Sequence, residues 1–399
     1  MSDRIDPSSR IIIVGAAAAG LSCAAALHKN GFTNVTVVDK ASTPNELELA
    51  APINLGANAV RGFDLLGIKD QLESHSWPWK AALIQNRNGK KLAYLDADEI
   101  NRRSGYRPLT TTRTHMLRTL RSVVPTNWLS YGVEVASVVD READLLVTYA
   151  DGREEQADFL VGANGYYSPQ RDQVMGKTKA RSDGKLSLQA LIPAGDSALV
   201  GNLSPDNVFT EVVTPKGSIG FGQNSDLDYN IFYNVKKAEV ESNLDPEALL
   251  AYVTQKFAGI DPRIDQLTQL VKAKDILVYY PKDRPVQTGW SKRRIVLIGD
   301  AAHPAFQYTG QGAAMAIESA LVLADCLKTD ATYSAAFARF EARRLPRLKI
   351  VHAESYKGAK VFGLSNPMLC ALRDFVMGLV PNAVKTKALM AIHSKDFMS

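Results

Sequence analysis

The sequence predicts an α/β protein: a parallel sheet assembled from separate stretches of the chain, an inserted and mostly antiparallel sheet, and a helical C-terminus. Residues 11–14 form a short apolar, β-branched run with no polar face, which is typical of a strand buried on both sides. A second apolar run occupies residues 295–298, directly after Arg294. Between them, residues 180–284 contain segments that alternate apolar and polar side chains, as antiparallel strands do.

The first strand opens a βαβ unit of the dinucleotide-binding, Rossmann-like type. Gly15 ends the strand, an alanine-rich helix follows through Gly20, and a second strand over residues 35–38 ends in Asp39. Such a helix N-terminus faces a pyrophosphate, and an acid at this distance bonds a ribose hydroxyl. Ala17 stands where the usual fingerprint has glycine, so an ordinary packing unit with small residues stays an alternative. The predicted cofactor-binding residues here are Gly15, Ala17, Ala18, Ala19, Gly20, Asp39 and Lys40.

Composition excludes several classes of protein. The 399 residues carry a net charge of +5 without a Lys/Arg run, so we predict no nucleic-acid partner. The three cysteines lie far apart without metal-ligand spacing, which predicts buried thiols, a reducing cytoplasmic location and no metal site. The apolar segment 368–380 is too short to span a bilayer, and the polar start lacks a signal-peptide pattern.

The next elements follow from local signals. Residues 58–66 read as an amphipathic helix ending at Gly67, and residues 80–98 as a hairpin turning at Asn88-Gly89. Residues 110–123 read as a helix capped by one of three threonines, with Arg113 in or near its first turn. A cation there opposes the helix dipole, which makes sense if it faces a phosphate; a solvated surface arginine is the alternative. Residues 129–162 read as an antiparallel run with a turn at Asp151-Gly152.

The second half changes character twice. Strands over residues 180–236 are followed by a helix capped by Asp245 and a strand at 276–280, and helices begin at Gly312 and at Ser365 with Pro367. The predicted domain boundaries are 1–79, 103–179 and 285–345 for the dinucleotide-binding domain, 80–102 and 180–284 for the inserted substrate domain, and 346–399 for C-terminal helices.

Three stretches together carry a family resemblance. They are the first loop with Asp39, the stretch 158–171 (DFLVGANGYYSPQR), and the stretch 295–304 (IVLIGDAAHP) continuing through the Gly-Gln-Gly of 310–312. The chain resembles the single-component, or class A, FAD-dependent aromatic hydroxylases and monooxygenases, especially the salicylate-hydroxylase-like branch. The resemblance extends over nearly the whole chain, to the segment 365–374.

The resemblance implies FAD as the cofactor. Asp300 then bonds a ribityl hydroxyl, and the helix that begins at Gly312 points bare N–H groups at the negative charge of reduced flavin. Arg113 matches the phosphate-contacting arginine of the family, and Asn164 stands in the motif linked to FAD and the nicotinamide cofactor. The further implied cofactor-binding residues are Gly299, Gly310, Gln311 and Ala313.

Four departures from the family pattern matter. Asn164 stands for an aspartate, Gln307 for a proline, Ala314 for an asparagine, and Ala50-Ala51-Pro52 for Gly-Ala-Gly. We expect FAD binding to survive all four. The change at Asn164 affects the motif linked to the nicotinamide cofactor, so it bears on the use of NADH or NADPH.

The implied activity is a monooxygenase reaction. NADPH or NADH reduces FAD, O2 forms a C4a-hydroperoxide, and one oxygen atom passes to a small aromatic or alkene substrate. The predicted catalytic residues are Tyr308 and Gln307, and the predicted substrate contacts are Phe221, Gln223 and Tyr233. We expect a monomer or a homodimer.

Two other functions stay open at this point. The first is a FAD-dependent oxidase, dehydrogenase or cyclase that does not use NAD(P)H, which Asn164 and Gln307 favour. The second is a non-catalytic FAD-binding protein that binds a partner through its helical C-terminus.

Overall fold

The computed structural model describes residues 4–48, 51–193, 207–224, 228–240, 244–381, 384, 390–393 and 396–398. The strands are β1 Ile11–Val14, β2 Val35–Asp39, β3 Pro52–Leu55, β4 Trp77–Pro78, β5 Ala81–Asn86, β6 Lys91–Asp96, β7 Leu109–Thr112, β8 Leu129–Tyr131, β9 Val135–Asp140, β10 Leu145–Tyr149, β11 Glu154–Ala157, β12 Phe159–Gly162, β13 Arg181–Ser182, β14 Lys185–Pro193, β15 Val208–Thr214, β16 Gly217–Gln223, β17 Asp228–Lys236, β18 Leu277–Tyr279, β19 Lys282–Asp283, β20 Ser291–Lys292 and β21 Ile295–Leu297. The α-helices are α1 Ala18–Lys29, α2 Pro44–Leu47, α3 Ala57–Leu66, α4 Lys69–Glu73, α5 Ala97–Ser104, α6 Arg113–Arg121, α7 Pro169–Met175, α8 Pro246–Phe257, α9 Pro262–Leu270, α10 Gly312–Thr329, α11 Tyr333–Phe362 and α12 Pro367–Leu379.

The first sheet confirms the predicted parallel layer built from distant stretches. Its strand order is β20-β21-β12-β1-β2-β8, and every pair except β20–β21 is parallel. All four residues of β1 are buried because α1 and α10 cover one face of the sheet and strands β9 to β11 cover the other. The carboxyl ends of β1, β2, β12 and β21 therefore meet at one edge, where ligands bind in open α/β sheets.

The prediction of one antiparallel run over residues 129–162 is wrong at both ends. Strand β8 pairs in parallel with β2, and β12 pairs in parallel with β1, so both belong to the first sheet. Only β9, β10 and β11 form the antiparallel layer. A three-residue strand such as β8 is too short to show an alternation of apolar and polar side chains. Its position in a sheet therefore depends on pairing with a strand that is distant in the sequence.

The second large sheet has the order β18-β14-β17-β16-β15-β5-β6, antiparallel except for the β15–β5 pair. One face packs against α8 and α9 and forms a second apolar core. The opposite face, here called the inner face, carries the alternate side chains of the same strands. It carries Gln189, whose Nε2 donates a hydrogen bond at 3.2 Å to the carbonyl oxygen of Pro52 in β3, a strand of the small sheet β3-β7-β4.

One of the three threonines predicted to cap the helix over residues 110–123 is its N-cap, and the predicted start of the last helix moves by one residue. Thr110 and Thr111 belong to β7, and Thr112 is the N-cap of α6, where its hydroxyl accepts a hydrogen bond from the His115 N–H. Asn366, not Ser365, caps α12 by accepting from two backbone N–H groups. By contrast, α3 ends at Gly67 in the left-handed region, the hairpin of β5 and β6 forms, and all three cysteines are buried, as predicted.

The helical C-terminus is joined to the first layer by buried charge. Glu318 of α10 accepts hydrogen bonds from Arg344 and Arg347 of α11, and all three side chains are almost inaccessible. Arg347 also donates to the Ile392 carbonyl oxygen, which holds residues 390–393 against the helices. Within the described residues, no helix combines the length and apolar character needed to cross a bilayer. The domain boundaries stay predictions.

Candidate cofactor and substrate site

The turn after β1 requires glycine twice. Gly15 has φ +112°, and a Cβ there would lie 2.6 Å from the Ala163 carbonyl oxygen. A Cβ on Gly20 would lie 1.8 Å from the Gly15 carbonyl oxygen. These contacts let α1 start directly behind the sheet edge, with its N-terminus facing the space beyond β1 and β12.

Asp39 organises this loop through the backbone. Its carboxylate accepts hydrogen bonds from the Ala16 N–H at 2.7 Å and the Ala41 N–H at 2.9 Å. Ala17 and Ala18 are half-buried, and Lys40 is exposed beside the acid. The acid therefore holds the first turn in place and is itself half-buried at the strand end.

Arg113 brings the distant stretches together. It lies at the start of α6, where Nε donates a hydrogen bond to the Leu47 carbonyl oxygen at 3.0 Å. Burial lowers the pKa of its guanidinium, while the negative charges of Asp300 and Asp39 act in the opposite direction. Two carboxylates from opposite ends of the chain thus lie within electrostatic reach of one half-buried cation.

Asp300 lies deep in the molecule but faces an open crevice. Its side chain is accessible, yet the surrounding protein removes enough water to raise the pKa of the carboxyl to about 6, against the lowering effect of Arg113. Gly299 directly before it has φ +57°. A cavity beside Asp300 is also lined by Thr309, Gln311 and Gly312, and it extends toward α11.

The start of α10 is bare. The N-cap residue Gln311 makes no side-chain capping bond, so the first N–H groups of an 18-residue helix lack side-chain partners. A Cβ on Gly312 would meet no described atom within 4 Å, Ala313 is half-buried, and Gly310 has φ +62°. The Thr309 hydroxyl is buried without a partner among the described residues.

The side chain of Gln311 turns away from this open space. Its Oε1 accepts a hydrogen bond from Asn58 Nδ2 at 2.9 Å, and its Nε2 lies 3.5 Å from His393 Nδ1. Glu318 Oε1 accepts from the same Asn58 amide at 2.6 Å. The helix start therefore presents backbone, not side chain, to the crevice.

Asn164 follows β12 at the same sheet edge. Its Nδ2 donates to Gln170 Oε1 at 2.7 Å, and its Oδ1 is buried without a partner among the described residues. Gly165 has φ +81° and open space where a Cβ would be. The site thus has an acceptor without a described partner at Asn164, a half-buried cation at Arg113 and bare N–H groups at α10, which suits a polar group such as a dinucleotide with a flavin ring.

The comparisons with known proteins agree with this arrangement. The FAD binding domain family matches residues 8–353. The chain belongs to this family. It is 30% identical to 6-hydroxynicotinate 3-monooxygenase of Pseudomonas fluorescens over 96% of this chain and 99% of that protein. It is 28% identical to aurachin C monooxygenase/isomerase of Stigmatella aurantiaca, over 93% of this chain and 94% of that protein.

Among solved structures, Klebsiella pneumoniae HpxO complexed with FAD and uric acid superimposes with a TM-score of 0.86, covering 97% of each chain. At 22% identity that likeness shows the shared fold. The chain is thus an FAD-dependent monooxygenase of the aromatic hydroxylase type. This excludes the reading as a non-catalytic FAD-binding protein.

The two predicted catalytic residues of the monooxygenase, Gln307 and Tyr308, lie just before α10 and bond to different residues. Gln307 Nε2 donates a hydrogen bond to the Ser187 hydroxyl oxygen of the inner face at 3.0 Å. Tyr308 donates from its hydroxyl to Asp183 Oδ2 at 2.6 Å and packs against Gly358 of α11. Burial and then Asp183 hold the pKa of Tyr308 far above its usual range, so the geometry does not favour this phenol as a base.

The predicted substrate contacts lie on the wrong face of the second sheet. Phe221 and Tyr233 are buried in the core beneath α8 and α9, where the Tyr233 hydroxyl lies 2.7 Å from Thr268 Oγ1. Gln223 has the same strand parity as Phe221. The sequence does not show which parity of these strands is buried beneath α8 and α9, because both parities carry apolar and polar residues.

The inner face also carries side chains that are not among the three predicted substrate contacts. Gln189, Phe209, Glu211 and Phe232 are half-buried there, although they come from central strands. The available signal was the pair Gly220 and Gly222 on β16, which leaves space on one parity only; Phe232 covers Gly220 and Phe209 covers Gly222. Ala50, part of the fourth departure from the family pattern, lies outside the described residues.

Proposed function

We propose that this monooxygenase inserts one oxygen atom from O2 into a small aromatic substrate, with NADH or NADPH as reductant. FAD, when bound, supplies hydride acceptance and oxygen activation. The observation that carries the proposal is the convergence of Arg113, Asp39 and Asp300 beside the bare start of α10. The inner face of the second sheet lies opposite that start, joined to it through Gln307.

The cofactor-binding roles follow from these positions. Arg113 would face the pyrophosphate as a half-buried cation, and the N-terminus of α1 would add N–H donors. Asp300 would accept a hydrogen bond from a ribityl hydroxyl, and Asp39 from the ribose of the adenosine half. The first N–H groups of α10, at Gly312 and Ala313, would stabilise negative charge on the ring.

The substrate would lie between Gln307 and the inner face. That space is walled by aromatic and polar side chains, which suits a planar ring with few polar groups. The related proteins named above include a 6-hydroxynicotinate 3-monooxygenase, which supports an aromatic substrate here. The protein would exclude water around the ring by closing the second sheet over it.

A second candidate keeps the same site without NAD(P)H: an FAD-dependent oxidase or cyclase. The specific observation that favours it is Asn164, whose unpartnered Oδ1 leaves the nicotinamide-linked motif without a carboxylate. A cytoplasmic location, and a monomeric or homodimeric state, stay predictions.

Anaerobic mixing of the purified yellow protein with NADH or NADPH separates the two candidates. Loss of the visible flavin absorbance, accelerated by a candidate phenol or hydroxylated heteroaromatic, supports the monooxygenase. Bleaching by an organic substrate alone supports the oxidase. A protein that is colourless and takes up no FAD would contradict both.

A further inference from the structure

Helix α12 presents an apolar face to solvent. The large apolar side chains on it that are close to half exposed or more are Met368, Leu369, Leu372, Phe375, Val376 and Leu379. Phe375 is 60% exposed and Met368 is 82% exposed. The six recur at positions i, i+1, i+4, i+7, i+8 and i+11, so they lie on one side of the helix, here called the apolar stripe.

The polar side of α12 faces the protein instead. Asn86 Nδ2 donates a hydrogen bond to Asp374 Oδ2 at 2.8 Å, and Lys90 Nζ donates to the Asp374 backbone carbonyl oxygen at 2.9 Å. Arg373 is buried and donates to Asp374 Oδ1 at 2.8 Å. Cys370 is the other buried residue of the helix. A surface helix ordinarily buries its apolar side, so α12 is docked in the reverse orientation.

These docking contacts keep the apolar stripe outside. Asn86 and Lys90 belong to the hairpin of β5 and β6, at the edge of the second sheet. A roll of α12 that buried the stripe would turn Arg373 and Asp374 away from the hairpin and break the bonds that Asp374 makes with it. The exposure of the stripe is therefore a built feature of the surface, and contiguous apolar patches of this kind mark binding sites.

The positive charge of the protein is concentrated in the same part of the chain. Residues 346–399 contain eight lysines and arginines but three aspartates and glutamates, an excess that equals the +5 net charge of all 399 residues. Lys349 and Lys360 of α11 are exposed, and Lys90 is exposed beside α12. The apolar stripe thus belongs to a basic C-terminal region of a chain that is otherwise neutral.

A second copy of this chain is a poor partner for the stripe. Stable protein interfaces use about 20–30 residues a side, and the stripe supplies six. Self-association through α12 would also bring two basic C-terminal regions together, and like charges repel each other. An anionic lipid surface suits both features, because its headgroups attract lysines and its acyl boundary accepts apolar side chains.

We propose that α12 binds the protein to an anionic lipid surface, with the apolar stripe inserted at the boundary between headgroups and acyl chains. The helix lies along the surface, because its 13 residues are too few to cross a bilayer. The basic C-terminal region supplies the electrostatic attraction. This inference uses residues outside the cofactor site and does not rest on the proposed function.

Vesicle binding by the FAD-loaded protein tests the proposal. Vesicles of phosphatidylglycerol and phosphatidylcholine in equal parts are compared with vesicles of phosphatidylcholine alone, and co-sedimentation measures the bound fraction in about 0.1 M and about 1 M NaCl. The α12 variant combines Leu372→Gln with Phe375→Gln, which makes the centre of the stripe polar and keeps good helix formers. The matched control combines Val139→Gln with Val278→Gln, which replace exposed apolar side chains on β9 and β18.

We expect wild type and the control to bind the mixed vesicles at least about tenfold more tightly than the α12 variant, since that variant loses apolar surface that would leave water. Binding by wild type should weaken at least about tenfold at the higher salt concentration and on neutral vesicles, because both conditions remove the attraction between lysines and headgroups. Retained FAD content and melting temperature show that each variant is folded.

Failure of wild type to bind the mixed vesicles would overturn the proposal, as would equal binding by wild type and the α12 variant, or equal binding to neutral vesicles. Light scattering after gel filtration tests a second copy as the occupant. A wild-type dimer that the α12 variant converts to a monomer would make α12 an interface between copies, which also overturns the proposal. None of these outcomes depends on FAD uptake, so each leaves the proposed function intact.

Discussion

Gln307 and Ser187 form the bond, 3.0 Å long, that joins the segment before α10 to the inner face of the second sheet. The serine is inaccessible to solvent and also donates to Asn234, so its hydroxyl serves two partners. Because Gln307 stands where the resembling family has proline, this connection comes from a side chain that proline cannot supply. It fixes the distance between the two walls of the substrate space.

A double-mutant cycle measures that connection. Gln307→Ala and Ser187→Ala should each lower the free energy of unfolding by about 1–3 kcal/mol, because each leaves a buried polar partner unsatisfied. The double variant should be less destabilised than the sum, by roughly 0.5–1.5 kcal/mol. Chemical denaturation of the FAD-loaded protein gives the three values, and strict additivity would mean that the two side chains do not interact.

Replacement of Arg113 tests the phosphate site. Arg113→Met should weaken FAD binding by at least about tenfold, since it removes a half-buried cation that has no direct carboxylate partner among the described residues. Arg118→Met on the same helix is the control, because that arginine is exposed and pairs with Glu48. Dissociation constants from flavin fluorescence compare them; equal losses in the two variants would rule out a specific role for Arg113.

Two buried histidines predict acid sensitivity. Burial lowers the pKa of His303 to about 3 and that of His393 to about 4, from an ordinary 6.5. The unfolded chain therefore takes up protons first as pH falls, so stability present above pH 6.5 is lost toward pH 4, by about 1.4 kcal/mol per pH unit for each histidine. His393→Asn should flatten the dependence of unfolding free energy on pH in this window.

The control for that measurement is His28→Asn, because His28 is exposed. It should keep the wild-type slope between pH 6.5 and pH 4. Asp300 acts in the opposite direction, since its pKa is raised from 3.8 to about 6 and its burial makes the folded state take up protons first. The contribution of Asp300 is the same in all variants, so it cancels when their unfolding free energies are compared at each pH. An unchanged slope in His393→Asn would show that His393 is not a source of the acid sensitivity.

Replacement of Glu318, the buried acid between α10 and α11, should have a large effect on stability. Glu318→Gln leaves Arg344 and Arg347 buried without a carboxylate and should lower the free energy of unfolding by about 3–5 kcal/mol. Glu354→Gln, which breaks only a surface pair with Lys357 on α11, should cost less than about 1 kcal/mol. Similar midpoints of denaturation for both variants would show that the buried network contributes little.

The first sheet and the cofactor crevice could be predicted because their signals are local. Glycine is required at Gly15 and Gly20 by contacts that only a missing Cβ permits, and buried parallel strands leave an uninterrupted apolar run. The position of Arg113 at a helix start was also correct. Its approach to Asp300 rested on resemblance to a family, because no local pattern links residues so far apart.

The substrate side could not be predicted in the same way. Phe221 and Tyr233 have the composition of cavity residues, but they form the core beneath α8 and α9, whereas Glu211 lies on the opposite, inner face. Adjacent side chains of a strand point to opposite faces of the sheet. A shift of one residue along the strand therefore decides whether a side chain lies in the core or on the inner face.

The sequence by itself determined the split parallel sheet, its glycine turns and the three stretches that meet at its edge, because backbone conformation and strand burial are encoded over a few residues. Only the tertiary structure decided which face of the second sheet meets Gln307, and that Tyr308 bonds Asp183. The physical reason is that a half-polar strand can bury either face, and the docking of α8 and α9 against one of them makes the choice.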